Sequence, residues 1–470
     1  MHTGNKWLAL VFLVLAQFMI VLDVSILNVG LPSIQRDFGL TVSDLQWIVT
    51  AYTLCFGGFL LLGGRAADLY GRRTVFVCGV AAFTSISFLI GVADSAALMV
   101  PLRALQGLAA GFMSPAALSL VLTLFQNPSE RTRALSIWGA VSAGGATAGI
   151  LIGGFLTQYL NWRWNFFVNI PVGITVIVAA FRLLPAHAAE ERVRTLDLPG
   201  AALITSALML LVYTLSHASG WGWTAPVTMS LFALSAALLV AFVYNESHAA
   251  HPLVPLSFFR VGNIAAADAV QLPITASLFS MFFFLSLYIQ NILGYAPLKA
   301  GLAFLPSTMT VALSAILAPT LIKRIGYKPI LVMAPLLLAA GLLTFTHLTV
   351  TGTYLDMLPG ILIMAVGLGF SFVSITVAAT TGVPGHESGL ASGMLSTAQQ
   401  IGGSLGLAVL SSIAASRTAE VIGQNIPTPA LLAQAAVEGF HSAFYTGLCF
   451  ALAASLIALI FIRRLPAHRV

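Results

Sequence analysis

Charged residues are scarce in this chain, and that scarcity excludes an ordinary water-soluble protein. Only 8% of its 470 residues are charged, whereas 59% are hydrophobic, and the mean hydropathy is +0.96. Apolar stretches long enough to cross a bilayer, roughly 20 residues each, recur from Leu8 to Phe461. Backbone polar groups in hydrocarbon must bond within their own segment, so these stretches predict transmembrane helices.

Cysteines are also few, and their spacing excludes a redox or metal centre. Cys55, Cys78 and Cys449 lie in different apolar stretches and are far apart in the chain, so they match no metal-ligand pattern. The chain has no Gly-Lys-Ser/Thr phosphate loop and no interval that would hold a nucleotide domain. The histidines near the span ends have no nucleophile around them. We therefore expect no enzyme, no metal, no cofactor and no ATP-driven step.

The apolar pattern predicts an all-α membrane protein with fourteen transmembrane helices. The spans are 8–30, 46–64, 73–92, 97–125, 133–160, 165–184, 197–217, 226–245, 264–290, 299–320, 328–347, 355–380, 389–415 and 439–463. We divide them into an N-terminal six-helix half (1–184), a linker with two additional helices (185–263) and a C-terminal six-helix half (264–470). A weak internal repeat, in which Gly71 and Gly326 lie in equivalent short basic loops, supports two repeated halves, an arrangement that many transporters have.

Basic residues are distributed unequally between the two sets of connections. Of the 21 Lys and Arg residues, sixteen lie in the alternate connections that include both termini. The other set holds four, which are Arg36, Arg163, Lys299 and Arg417. The positive-inside rule then predicts a multi-pass protein of the cytoplasmic membrane with both termini in the cytoplasm. The net charge of +6 follows from this bias and requires no nucleic acid partner.

An acidic residue, Asp23, interrupts the first span. A lipid-exposed carboxylate there would cost at least about 2.5 kcal/mol, so Asp23 is expected to face the protein interior. Arg103 in the fourth span lies at a similar depth, roughly 10 Å below the outer end of its helix. We predict that the two residues meet and that Asp23 exchanges a proton. The alternative is a static ion pair that holds two helices together.

Further polar residues recur at helical spacing and predict the wall of a substrate cavity. Gln106 and Ser114 share one face of the fourth span with Arg103, although small residues on such a face also suit close helix packing. In the ninth span Asp268 is a candidate second proton site, unless it only reaches for water at the membrane surface. Other cavity candidates are Gln271, Phe282 and, in span 13, Gln399.

Glycines mark two segments that we expect to move. Span 5 carries Gly149, Gly153 and Gly154 at spacings that allow close helix approach and bending; simple tight packing is the alternative. The loop Gly64-Arg65-Ala66-Ala67-Asp68-Leu69-Tyr70-Gly71-Arg72-Arg73 combines an acid with arginines and two turn-forming glycines. We predict a conformational switch loop formed by Gly64, Asp68, Gly71, Arg72 and Arg73.

Together these motifs resemble those of the major facilitator superfamily, specifically its fourteen-helix branch of drug:proton antiporters. Loop 64–73 resembles the signature between helices 2 and 3, with Leu69 where an Arg is usual. Residues 102–107 resemble the helix-4 signature, and 149–154 resemble the helix-5 antiporter signature with Ile150 in place of Pro. The segments 22–32, 162–173 and 287–306 are also similar to this branch. The resemblance implies that Arg103 takes part in proton transfer and that the two halves alternate in access.

This resemblance implies proton-coupled export of small, lipophilic, often cationic compounds. The expected partners are therefore protons, a small-molecule substrate and the lipid bilayer, and the sequence leaves open whether a periplasmic adaptor is needed. Three alternatives remain: a dedicated exporter of one metabolite or antibiotic, uptake by symport, and a non-transporting membrane sensor or scaffold.

Overall fold

Every regular element in the described part of the chain is helical. The computed structural model describes residues 3–184, 197–250, 252–383, 388–424, 426 and 428–463. These residues form fourteen long helices: α1 (Thr3–Phe38), α2 (Val42–Tyr70), α3 (Arg72–Gly91), α4 (Ala96–Leu124), α5 (Pro128–Tyr159), α6 (Trp164–Leu183), α7 (Leu198–Trp221), α8 (Pro226–His248), α9 (Ile264–Ile292), α10 (Pro297–Ile325), α11 (Tyr327–Phe345), α12 (Tyr354–Thr380), α13 (Ser388–Ile422) and α14 (Pro429–Phe461).

Three of these helices contain local irregularities. Helix α6 consists of Trp164–Phe167 and Asn169–Leu183, and α10 consists of Pro297–Ala303 and Leu305–Ile325. Helix α9 ends in a π-helical turn at Tyr288–Ile292, and a short 3₁₀ helix, Leu256–Arg260, precedes it.

Each predicted span corresponds to one helix, which confirms the all-α fold class. In the described residues, thirteen helices are long and apolar enough to cross a membrane; α5, which is not among them, has 32 residues and is therefore about 48 Å long. An even number of crossings returns the chain to its starting side. We call this side, which holds both ends of the bundle, the terminal side, and the opposite one the distal side. The acidic and basic residues at 190–194, Arg464 and Arg469 lie outside the described residues.

Glycines in the left-handed region make two single-residue connections on the terminal side. Gly71 joins α2 to α3 with φ 94°, and Gly326 joins α10 to α11 with φ 83°. Residues with a Cβ rarely adopt such angles. The two positions that the sequence predicts to be equivalent therefore share a positive φ.

Two six-helix groups contact each other through three pairs of helices. Helices α1–α6 pack on one another, and so do α9–α14; the groups touch through α1 with α9, α5 with α10, and α2 with α13. One continuous apolar core takes residues from both groups on the distal side, such as Val29 and Ile289, and extends through the C-terminal group to Tyr327 and Ile462 on the terminal side. A second core belongs to α1–α6 alone. On α5, a Cβ added at Gly139, towards the terminal side, or at Gly144, in the middle of the helix, would meet open space.

The additional helix α7 lies across the junction between α2 and α13. Leu208 and Val212 of α7 form an apolar cluster with Leu54 of α2 and Ala408 of α13. Thr205 approaches α2 so closely that its hydroxyl lies 2.3 Å from the position a Cβ on Gly58 would occupy. Helix α7 therefore contacts both halves of the molecule.

Candidate functional site

The carboxylate of Asp23 points into the N-terminal half and away from the junction with the C-terminal half. The neighbouring α1 residues Leu22, Ser25 and Ile26 face α5, where Gly149 and Gly153 allow close approach. Side chains on a helix return to the same face only every three or four residues, so Asp23 is turned from α5 towards α3, α4 and α6.

Asp23 forms a fully buried ion pair with Arg103. The Arg103 Nη1 atom lies 2.6 Å from Asp23 Oδ2, and the side chains are 0% and 1% exposed. The predicted contact between the two residues is thus confirmed. Because an isolated charge would be very costly at this depth, each residue makes the other tolerable.

Three neutral polar residues complete the shell around the carboxylate. Gln106 donates from Nε2 to Asp23 Oδ1 at 3.0 Å and to Ser87 Oγ at 2.8 Å, and its Oε1 accepts from Arg103 Nη1 at 2.5 Å. Asn169 Nδ2 lies 3.3 Å from the same Asp23 oxygen. We had predicted that Gln106 lines the substrate cavity; the structure instead places its fully buried side chain beside Asp23.

Aromatic rings and a backbone carbonyl hold the guanidinium group of Arg103. Its Nε donates to the Ile48 carbonyl at 3.0 Å, and its Cζ lies 4.4 Å from the centre of the Tyr52 ring and 5.7 Å from that of Phe166. Stacking of this kind suits a planar, delocalised cation better than an ammonium group. The arginine is therefore positioned by α2 and α6 as well as by its ionic partner.

The cluster contains polar atoms that have no partner in the described part of the chain. Asn169 Oδ1 and the Tyr52 hydroxyl are buried and unpaired there. Ionised Asp23 only accepts hydrogen bonds, whereas protonated Asp23 would also donate one. The Asn169 carbonyl oxygen, on a side chain already beside the carboxylate, is an acceptor for that donor.

Sequence reasoning found Asp23, Arg103 and Gln106 but missed three other members of this cluster. The missed residues, Ser87, Asn169 and Tyr52, are uncharged. A neutral polar side chain costs little free energy inside a membrane span, so it does not stand out in the sequence. A usable signal existed for Asn169, which is a deep polar residue inside the motif 162–173.

Four further candidates lie apart from this cluster, in the C-terminal half. Asp268 is half-buried, and its Oδ1 is buried with no hydrogen-bond partner among the described residues. Gln271 is 1% exposed, also with an unpaired oxygen. Gln399 is half-buried on α13. Phe282 packs against Phe304 on the distal side, with ring centres 5.4 Å apart.

Ser114 lies between two helices of the N-terminal half. Its hydroxyl is partly buried and donates to Gln17 Oε1 at 3.1 Å. The contact joins α4 to α1 towards the terminal side. A cavity role for Ser114 remains a prediction.

The predicted switch loop is mostly helix. Helix α2 continues to Tyr70, so Gly64 lies inside it, and only Gly71 forms the turn. Our expectation of two turn-forming glycines was wrong for Gly64, because Ala66, Ala67 and Leu69 stay buried and prolong the helix beyond the apolar span.

The charged residues of this segment make separate contacts. Asp68 pairs with Arg72 at 3.1 Å, and Arg72 also donates to the Thr123 hydroxyl of α4. Arg73 donates to the Phe181 carbonyl of α6 at 3.0 Å. The start of α3 is thus fastened to α2, α4 and α6 on the terminal side.

The three glycines predicted in α5 serve two different contacts. A Cβ at Gly149 would lie 2.8 Å from Ser25 Cβ, and one at Gly153 would lie 2.8 Å from the Ile26 carbonyl oxygen, both in α1. A Cβ at Gly154 would instead lie 2.8 Å from Leu298 Cα in α10. Helix α5 therefore packs closely on its own half and on the opposite half.

Comparison with known proteins identifies the family. The sequence profile of the Major Facilitator Superfamily matches residues 13–407. The chain belongs to the major facilitator superfamily. Among solved structures, a bacterial homologue of the human lysosomal transporter Spinster, inward-facing and unoccupied, covers 98% of this chain and 97% of its own with TM-score 0.67 at 15% identity. The D-xylose-proton symporter has TM-score 0.66 at 13% identity, with 97% of each chain covered. At these identities the likeness concerns the fold alone.

Sequence relatives with descriptive names cover most of the chain. The puromycin resistance protein of Streptomyces alboniger is 39% identical, covering 93% of this chain and 87% of its own. The cephamycin export protein of Amycolatopsis lactamdurans is 37% identical, covering 88% and 86%. The multidrug resistance protein Stp of Mycobacterium tuberculosis is 34% identical, covering 87% and 76%. Within this superfamily the chain is a multi-pass membrane transporter and not an enzyme.

Proposed function

We propose that this superfamily member exports small lipophilic compounds, antibiotics among them, in exchange for protons. Relatives named for resistance to, or export of, such compounds support the substrate class. The observation that carries the coupled ion is the fully buried Asp23–Arg103 pair within α1–α6. Proton binding at Asp23 would leave Arg103 without its anionic partner, so the protonated and ionised forms favour different packing of α1.

We assign the terminal side to the cytoplasm. The predicted charge bias supports this orientation, because Arg72, Arg73 and Lys323 lie at terminal-side helix ends. In that orientation the contact of α1 with α9 lies on the outer side, while a Cβ at Gly139, nearer the inner end of α5, would meet open space. A compound would then enter from the cytoplasm or the inner leaflet and leave after the halves exchange contacts.

The energetics of such an exchange are bounded. One proton that enters down 100 mV provides about 2.3 kcal/mol, which sustains roughly a 50-fold gradient of a neutral solute. A monovalent cation that leaves in 1:1 exchange cancels the electrical term, so only the pH difference drives it. A second proton site would remove that limit, and we propose Asp268 for it because its buried oxygen has no partner among the described residues.

The test is substrate-driven proton movement in proteoliposomes. We expect Asp23→Asn to abolish efflux driven by a pH gradient while the protein remains in the membrane, because Asn cannot exchange a proton. Asp94→Asn is the matched control, since Asp94 is exposed on the distal side and its carboxylate accepts a hydrogen bond from the hydroxyl of its neighbour Ser95. Wild-type proton-coupled efflux by Asp23→Asn would refute the assignment.

A dedicated exporter of one compound is the second candidate. Two of the named relatives carry the name of a single antibiotic, which favours this alternative. A panel of chemically unrelated compounds distinguishes the two: a multidrug exporter releases protons with several of them, and a dedicated exporter with one.

A further inference from the structure

Two helices deviate from regular geometry where the halves meet on the distal side. Pro32 lies inside α1, and proline has no amide hydrogen to bond the carbonyl four residues earlier. The Asn28 carbonyl therefore lacks its helical donor. In α9 the π-turn Tyr288–Ile292 faces this region; such turns are rare and occur frequently at functional sites.

Ser286 of the C-terminal half supplies the missing donor. Its hydroxyl lies 2.6 Å from the Asn28 carbonyl oxygen, and the side chain is fully buried. Gln290, within the π-turn, donates to the Val29 carbonyl at 3.0 Å and lies 3.3 Å from Ser286 Oγ. Two side chains of one half thus bond two backbone carbonyls of the other.

We propose that the Asn28 carbonyl, freed by Pro32, is the polar latch of the distal gate. Ser286 occupies it when the halves are closed, while Gln290 bonds the neighbouring Val29 carbonyl; water replaces both donors when the halves part. An ordinary helical carbonyl would already be bonded to its own helix and would offer less to a partner. A buried donor or acceptor without a partner is costly. A partly closed gate that buries the Asn28 carbonyl without a hydrogen bond is therefore less stable than the fully closed gate.

The surroundings keep the latch dry in the closed state. Leu27, Val29 and Leu31 on α1 belong to the same apolar core as Ile289 on α9. Asn28 is five residues after Asp23, so their positions are about 7.5 Å apart along one helix. A movement of α1 at the ion pair is therefore transmitted to the gate by a single rigid segment. The latch acts in the same way whatever compound or ion the protein moves, because it depends only on separation of the halves on the distal side.

The experiment measures distances across the distal gate by electron paramagnetic resonance. Spin labels replace Arg36 on α1 and Ala296 before α10, which are both exposed, in a chain whose three cysteines are changed to alanine. We expect Ser286→Ala to shift the ratio of closed to open molecules about tenfold towards open, which is the effect of one net hydrogen bond. The matched control is Ser277→Ala, because Ser277 donates at 2.8 Å to the Gly447 carbonyl in its own half and its loss should leave the ratio unchanged.

A double-mutant cycle tests the role of the proline directly. Pro32→Ala returns an amide donor to the Asn28 carbonyl, so Ser286→Ala in that background should change the ratio less than twofold. Gln290→Leu provides a second variant if Ser286→Ala does not fold. An equal effect of Ser286→Ala in both backgrounds, or no effect in the native one, would overturn the latch. These distances are independent of proton movement, so failure of the coupling proposal is read separately.

Discussion

At the scale of residues, the buried ion pair of Asp23 and Arg103 is energetically costly to form. Both side chains are completely desolvated, and replacing a buried pair by apolar residues is often neutral or stabilising. Gln106, Asn169 and a backbone carbonyl nevertheless satisfy both charged groups. The proposed change of protonation at Asp23 would give this costly arrangement a role beyond helix packing.

Removing one partner should cost more than removing both. We expect Arg103→Ala to destabilise the protein by about 3–5 kcal/mol, because it leaves a buried charge without compensation. The double variant with Asp23→Asn should recover most of this loss. Thermal unfolding in detergent measures both effects, and equal midpoints for the single and double variants would contradict the assignment of a charged Asp23.

Arg103→Lys separates charge from geometry. Lysine retains the positive charge but loses the Ile48 bond and the stacking on Tyr52. We therefore expect the pH dependence of transport to change while the protein remains folded. An unchanged pH profile with wild-type rates would show that the shape of the guanidinium group has no part in coupling.

Part of this site could be predicted from the sequence because two of its residues are charged. Asp23 and Arg103 were found because ionised groups are expensive inside a membrane, and their depths followed from the helical rise. Ser87, Asn169 and Tyr52 were missed because a neutral polar residue in a span has many possible partners. Gln106 was found on the correct helix face but was assigned to the cavity, since the neighbours of that face were unknown.

At the scale of elements, α1 is held between two unlike neighbours. One face carries Asp23 and its polar shell, and another packs on the glycines of α5. Glycine at Gly149 and Gly153 removes the side chains that would separate these helices. A shift of α1 therefore changes the ion pair and the α5 contact together.

Adding one methyl group tests this close packing. A Cβ at position 153 would lie 2.7–3.0 Å from three atoms of Ile26, two of them backbone, so Gly153→Ala should destabilise the protein by about 1–3 kcal/mol. Gly144→Ala is the matched control: it would meet open space in the same helix and should stabilise by up to about 1 kcal/mol. Similar unfolding midpoints for the two variants would contradict the close contact.

Helix number was predictable, whereas helix ends were not. Apolar runs define where the chain lies in hydrocarbon, and each predicted span became one helix. Helix α2 extends six residues beyond its predicted end at Gly64, to Tyr70, because Ala66 and Ala67 pack against protein beyond the apolar span. The π-turn of α9 leaves no signal that our sequence reading used.

At the scale of the whole molecule, α7 is hydrogen-bonded to the N-terminal half and packs on the C-terminal half through apolar side chains. Gln46 of α2 donates to Ser216 of α7, and Leu253 after α8 packs with Leu62 of α2. The contact of α7 with α13 is apolar, through residues such as Ala408. Apolar surfaces slide without breaking directional bonds, so we infer that α7 and α8 travel with the N-terminal half.

Distances from α8 test this assignment. Exposed Val240 on α8 is labelled together with Ile174 on α6 or with Ile316 on α10, in the presence and absence of a transported antibiotic. We expect the first distance to stay constant and the second to change by several ångströms as the halves rock. A constant second distance with a changing first one would assign the additional helices to the C-terminal half.

Because α7 covers the α2–α13 junction, the two flanks of the transporter are unlike. Lipid tails meet a third helix at this seam, whereas at the other seam the described residues place α5 directly against α10. A compound dissolved in the membrane would then reach the junction of the two halves beside the glycine-rich helix α5, because α7 covers the opposite junction.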